Sequence, residues 1–157
     1  MRYTGIIGNP LGHSLSPVFQ QAAFDHLGLD IKYKLLPAGI QDLEKTITSL
    51  RALDYLGANV TIPYKTDAIP FLDELDQAAN LIGAVNTIVN KDGRLIGYNT
   101  DGLGFIRAVS LEAKIALDKI DVLIVGAGGS ARAVLVALLK EKPSTIVVAN
   151  RSIDRAN

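Results

Sequence analysis

Residues 121–134, DVLIVGAGGSARAV, constrain the fold more than any other stretch of this chain. The apolar run DVLIV shows no helical period and reads as a strand buried on both faces. It ends in glycines, and a helical pattern follows over residues 130–141. The next apolar run, STIVVAN, reads as a second strand. Strand, helix and strand in so short a span form a βαβ unit. Such a unit pairs its strands in parallel with the helix crossing one face, which places the chain in the α/β class.

The turn between strand and helix carries chemistry of its own. GAGGSA sets Gly126, Gly128 and Ala131 in the pattern G-x-G-x-x-G/A. Gly126 permits a tight turn, and Gly128 and Gly129 let backbone approach a ligand with no Cβ in the way. Ala127, Ser130 and Ala131 complete the loop and the first helical turn, whose unpaired N–H groups suit a pyrophosphate. A glycine turn can also serve only to pack helix on strand; its place between a strand and a helix favours a dinucleotide site. At the tip of the second strand, where an NAD site usually carries Asp or Glu, the chain reads NRSIDR. Asn150, Arg151, Ser152 and Arg155 offer donors and positive charge there, which fits the 2′-phosphate of NADP. Read alone, Arg151 and Arg155 would be a solvated surface pair.

The preceding residues extend the alternation. Strands are expected at residues 3–7, 30–36, 57–62 and 84–89, with an Asp92-Gly93 turn making a hairpin into residues 95–99. Helices are expected at residues 17–27, 41–52, 72–82 and 101–113. The first should bury Val18, Phe19, Ala22, Ala23, His26 and Leu27, the second Leu43, Ile47 and Leu50. The result is an α/β chain with a mainly parallel sheet. At 157 residues and 48% hydrophobic content, it has material for one domain and part of another.

Composition removes several function classes. Sixteen basic and sixteen acidic residues cancel, so no general field attracts nucleic acid or an anionic membrane. With no cysteine and only His13 and His26, neither a disulfide nor a metal site is expected. The apolar stretch after Arg2 is broken by Gly8, Asn9 and Pro10, so no signal peptide or span is read and a cytoplasmic setting is expected.

Small polar residues gather at the strand ends. Asn59 and Thr61, Asn86 and Thr87, and Asn99 to Asp101 follow apolar runs, and strand ends in α/β sheets face the ligand crevice. Neutral amides and hydroxyls there suit a polyhydroxylated small molecule. GNPLGHSLSP, residues 8–17, raises the question of what its two serines are for. Ser16 before Pro17 reads as a helix N-cap. Asp101 reads as a first-turn or capping residue, and Lys65 taken alone as a solvated surface lysine.

Together, GNPLGHSLSP, GANVTIPYK, GAVNTI, YNTDGLGF, GAGGSARAV and NRS resemble the shikimate dehydrogenase family, in that family's order and from Gly8 to Arg155. The resemblance implies a substrate-binding domain followed by the first βαβ unit of a Rossmann domain. It implies NADP-dependent, reversible reduction of 3-dehydroshikimate to shikimate. By that resemblance Ser14 and Ser16 hold the substrate carboxylate, and Asn59 and Thr61 line the same pocket. Asn86 and Asp101 bind the ring hydroxyls, and Lys65 with Asp101 forms the catalytic dyad. The helix after the first loop often carries His-Asn in the family, where this chain has Gln20-Gln21; Gln21 is a possible pocket neighbour.

The expected boundaries are a substrate domain over residues 1–101, a connecting helix or hinge over 102–120 and a partial NADP-binding domain over 121–157. The family's nicotinamide half and its returning C-terminal helix have no counterpart here, so the expectation is a truncated enzyme, monomeric or homodimeric, with impaired turnover. Three other readings remain. One is a quinate/shikimate dehydrogenase using NAD, against which the NRS strand tip speaks. A second is an enzyme of the methylenetetrahydrofolate dehydrogenase type, against which HSLSP and NTDG speak. The third is a non-catalytic module that binds shikimate.

Overall fold

Strand β1 (Arg2–Gly8) is the centre about which the N-terminal part of the chain is organised, in a computed structural model that describes residues 1–152. It pairs in parallel with β2 (Ile31–Pro37) on one side and β3 (Gly57–Val60) on the other. Outside β3 lies the hairpin of β5 (Thr87–Lys91) and β6 (Arg94–Tyr98), antiparallel to β3 and to each other. The short β4 (Glu74–Leu75) closes the edge in parallel with β6, giving the order β2-β1-β3-β5-β6-β4. Asp92 and Gly93 both turn at positive φ, as a two-residue hairpin loop requires.

The chain divides into two compact units, one of Met1–Gln77 and Val85–Tyr98, the other of Ala78–Ala84 and the described residues from Asn99 onward. In the first unit, alternation sorts the sheet into two faces. Ile7 registers with Val60, and Ala58 with Ile88; this face is buried. On the other face, Tyr33 registers with Thr4, Asn59 with Ile6 and Thr87 with Asn59. Helix α2 (Leu43–Ser49) buries Leu43 and Ile47, and Leu50 just beyond it is buried as expected.

Helix α1 (Ser16–His26) departs from expectation. None of its side chains is buried, and Val18 and Phe19 are 70% and 58% exposed. The helical period was legible, but the side turned to the protein is the one bearing Gln21. The Gln21 amide accepts from the Tyr33 N–H (3.0 Å) and donates to the Ile31 carbonyl (3.1 Å). It thereby completes the edge of β2 as a neighbouring strand would, and is a structural residue.

The helix expected over residues 72–82 is also different. Its first part is extended, because the Asp73 and Asp76 N–H groups bond the Leu95 and Gly97 carbonyls of β6. Only Gln77–Ile82 is helical (α3).

The second unit contains the expected βαβ. Strands β7 (Asp121–Val125) and β8 (Thr145–Ala149) pair in parallel, joined by helix α5 (Gly129–Lys140). Ile124, Leu138 and Leu117 form its core. Helix α4 (Asp101–Arg107) continues into a π-helical turn, Ala108–Glu112. A Cβ on Gly102 would lie 2.5 Å from the Ala133 carbonyl, so only glycine lets α4 approach α5 this closely. Residues 78–84, read as part of the first domain, belong by packing here, where Ile82 and Ala84 lie against Ala133.

Asp73 fastens the hairpin end of the first unit. Its carboxylate takes the Arg51 guanidinium (Nη2, 3.1 Å) and the Leu95 N–H (2.7 Å), and Arg51 also reaches the Gly93 carbonyl. Arg51 first, and then the Leu95 N–H, hold the Asp73 carboxyl below the usual carboxylate range. A carboxyl that is more acidic folded than unfolded stabilises above its unfolded pKa, about 4. That contribution is lost as pH falls through the folded value. Asp73→Asn should therefore flatten the acid limb of the stability profile below about pH 4, measured as urea midpoints across pH 3–6. An unaltered acid limb would contradict this.

Candidate functional site

Two loops at the carboxyl ends of β1 and β3 build the site in the first unit. The chain leaves β1 at Gly8 and runs through Asn9–Leu15 to α1. It leaves β3 at Val60 and turns through Thr61–Tyr64. Both loops hold a cis proline peptide, Asn9-Pro10 and Ile62-Pro63. The Thr61 N–H bonds the Ile7 carbonyl (2.9 Å), and the Asn9 N–H bonds the Ile62 carbonyl (3.2 Å). Gly8 sits where the loops meet: a Cβ there would lie 2.5 Å from Thr61 Cγ2 and 2.9 Å from Leu11 Cδ2. The resulting cleft, about 320 Å³, is lined by Ile6, Asn9, His13, Ser14, Ser16 and Thr61 among others.

The serines do different things. Ser16 does not cap α1 as expected; it is the first helical residue, the N-cap is Leu15, and no side chain fills the capping position. The Ser14 hydroxyl instead accepts from the Ser16 N–H (3.4 Å), which leaves its own hydrogen to donate to a ligand.

Tyr33 was not among the residues singled out from sequence. Its phenol donates to Asn59 Oδ1 (2.7 Å), Asn59 Nδ2 donates to Thr87 Oγ1 (3.4 Å), and the Thr87 hydroxyl donates to Asn86 Oδ1 (2.9 Å). These bonds link Tyr33 on β2 through Asn59 on β3 and Thr87 on β5 to Asn86. Burial pushes the Tyr33 phenol up to about 12, with the Ser16 hydroxyl acting against it. The phenol is thus a proton donor at any ordinary pH.

Lys65 follows this loop and is fixed by its neighbours. Tyr64 is buried, with its hydroxyl on the Ala38 carbonyl (2.8 Å). The Lys65 carbonyl accepts from the Val85 N–H (2.7 Å), and the adjacent Asn86 bonds Val60 and Tyr98 through its backbone. The loop bearing Lys65 and the strand start bearing Asn86 are thus tied in register.

In the second unit, Asp101 opens α4 as a first-turn residue. Asn99, read as part of a ligand-facing strand end, is buried with its amide on the Ala84 carbonyl (2.9 Å) and the Asp101 N–H (3.1 Å). Its side chain holds the start of α4.

The glycine turn fits a dinucleotide. Gly126 adopts φ +113°, a conformation that favours glycine. A Cβ on Gly126 or Gly128 would meet no protein atom within 4 Å. Gly128 enters α5 extended, no side chain caps that helix, and its first turn has no acidic residue. This leaves Gly129, Ser130 and Ala131 at an N-terminus suited to an anion. The Gly126 N–H bonds the Ala149 carbonyl (2.7 Å), so the turn lies beside the end of β8. Arg151 leaves that end exposed, and Asn150 Nδ2 holds the tip by donating to the Ser152 carbonyl (2.8 Å). Arg155 lies outside the described residues.

Comparison with known proteins follows this division. Residues 6–88 match the family model described as the shikimate dehydrogenase substrate binding domain. Residues 110–157 match that of shikimate / quinate 5-dehydrogenase. The NADP(+) shikimate dehydrogenase of Geobacillus kaustophilus is 48% identical over 97% of this chain. The chain spans about 55% of that relative's length. A crystal structure of a shikimate dehydrogenase in complex with NADP+ is similar over 99% of this chain and 53% of its own, at 44% identity and TM-score 0.92. The Thermus thermophilus shikimate 5-dehydrogenase in complex with NADP(H) and shikimate is similar over 99% and 58%, at 36% identity and TM-score 0.91.

Gly8→Ala should part the two loops. The expected result is at least about tenfold faster hydrogen exchange of the Asn9 amide, as its bond to Ile62 opens more often. Unchanged exchange would show that the loops absorb a methyl group.

Proposed function

We propose that this chain, which belongs to the shikimate dehydrogenase family, binds shikimate in the cleft at the carboxyl ends of β1 and β3. We propose further that it serves the NADP-dependent, reversible reduction of 3-dehydroshikimate to shikimate. The observation that carries the reading is the cleft lined by Ser14, Ser16 and Thr61, with Asn59 and Asn86 both held by Thr87 in the same unit. A carboxylate accepts hydrogen bonds only, whereas each ring hydroxyl both donates and accepts. Ser14 and Ser16 suit the first; Thr61, Asn59 and Asn86 suit the second.

When bound, NADP supplies or accepts the hydride. Gly126–Ala131 would hold its pyrophosphate, with Asn150, Arg151, Ser152 and Arg155 toward the 2′-phosphate. Reduction of the ring ketone leaves an alkoxide, and the Lys65 ammonium is the group proposed to protonate it. Asp101 is its partner in the dyad by family resemblance and a second ligand for the hydroxyls. Lys65 in neutral form accepts the hydroxyl proton in the opposite direction. The described residues of the second unit contain one βαβ unit, β7–α5–β8, where a dinucleotide domain uses two halves.

Calorimetric titration should show one shikimate bound per chain; no heat at millimolar shikimate would contradict the substrate assignment. NADPH formation from shikimate and NADP, measured in parallel, reads turnover separately. Arg151→Ala should weaken NADP about tenfold or more while leaving NAD within about twofold, as loss of one charge-assisted hydrogen bond implies. Equal loss for both dinucleotides would remove Arg151 from the 2′-phosphate site.

A further inference from the structure

We propose that His13, in its protonated form, is a cation for the ligand carboxylate in this cleft, so that shikimate binds more tightly as pH falls from about 8 to about 5.5. The proposal deepens the shikimate reading and rests on it.

The donors assigned to the carboxylate, the hydroxyls of Ser14 and Ser16, are neutral. Among the described residues that line the cleft, His13 is the one with an ionisable side chain. Its backbone is fixed by a turn: the Ser14 N–H bonds the Leu11 carbonyl (3.0 Å), which sets Gly12 and His13 at the two central positions. A Cβ on Gly12 would meet no protein atom within 4 Å, so the turn stands clear of the protein, and His13 is exposed. A side chain that lines a cleft and is exposed stands at its mouth. There the imidazole is one residue from the Ser14 hydroxyl.

Few other charges come near this turn from the elements that meet it. On β1 the ionisable residues are Arg2 and Tyr3, at the far end of the strand from Gly8 and about 17 Å or more away at strand rise. On β2, Lys32 registers with Tyr3, and the Lys34 ammonium lies over the Tyr3 ring (3.3 Å), while Tyr33 is a protonated phenol. On α1, Asp25 and His26 lie at the far end from Ser16, about 14 Å along the helix. The loop after β3 carries the buried Tyr64, then Lys65 and Asp67. Lys65, with Asp101 by family resemblance, is assigned to the ring hydroxyls.

A carboxyl ionises near pH 4, so the ligand stays an anion over this range, whereas histidine changes charge between about pH 5 and 8. An exposed imidazolium beside a carboxylate gains on the scale of a surface ion pair, about threefold in affinity. By reciprocity the bound anion holds the proton on His13, and the midpoint of its titration rises. A threefold gain corresponds to about half a pH unit.

The chain has two histidines, His13 and His26, so their imidazole proton resonances can be assigned with His13→Gln and His26→Gln. Saturating shikimate should raise the His13 titration midpoint by about half a pH unit and leave that of His26 unmoved. Shikimate methyl ester, which keeps the ring hydroxyls and lacks the anion, should move neither. In calorimetry the unsubstituted chain should bind shikimate about threefold more tightly at about pH 5.5 than at about pH 8, and His13→Gln should bind it equally at both. Three results would each overturn the proposal with the substrate reading intact: a His13 midpoint that shikimate leaves unmoved, one that the ester raises as much, or a pH dependence that survives in His13→Gln and so belongs to another group such as Lys65 or Asp101. A chain that binds shikimate at neither pH would overturn the substrate reading and this proposal together.

Discussion

The hydrogen bond between the Asn9 N–H and the Ile62 carbonyl joins the two loops on which the cleft depends. With the Thr61 N–H on the Ile7 carbonyl, it extends the pairing of β1 and β3 past the last strand residue of β3. It is possible because Gly8 has no side chain at the crossing. Ser14 and Ser16 on one loop and Thr61 and Lys65 on the other therefore have fixed origins. Recognition by neutral hydroxyls and amides needs such fixed origins, since each bond is short-ranged and directional.

The other support is polar. Helix α1, which carries Ser16, buries no side chain. Gln21 on the β2 backbone ties it to the sheet. Directional bonds thus take the place of apolar packing under this helix, and a further set crosses the sheet face from Tyr33 to Asn86.

Much of this was legible in sequence. Strand and helix periods located nearly every element, and the Asp92-Gly93 pair located the hairpin. The family motifs located Ser14, Ser16, Asn59, Thr61, Lys65 and Asn86, and all six fall in one unit around the same strand ends. Asp101 and the glycine turn fall in the other. What was not legible depends on partners distant in sequence. Residues 72–76 are extended because β6 supplies their bonds, which no local propensity reveals. The apolar side of α1 read as its buried side because periodicity cannot show that a glutamine will cap a sheet edge. Tyr33 read as one more strand residue, since only the register of three strands places it beside Asn59. Asn99 read as ligand-facing, although its amide is taken up by the Ala84 carbonyl and the Asp101 N–H.

The account's central claim is that the cleft between these two loops is the ligand site. Amide shifts of the isotope-labelled chain, followed as shikimate is added, test it most directly. The account predicts saturable perturbations concentrated in residues 9–16, 61–65 and 85–87, with the Asn59 side-chain amide moving alongside them. Saturable perturbations that leave these segments still and gather elsewhere, or none at all, would contradict it.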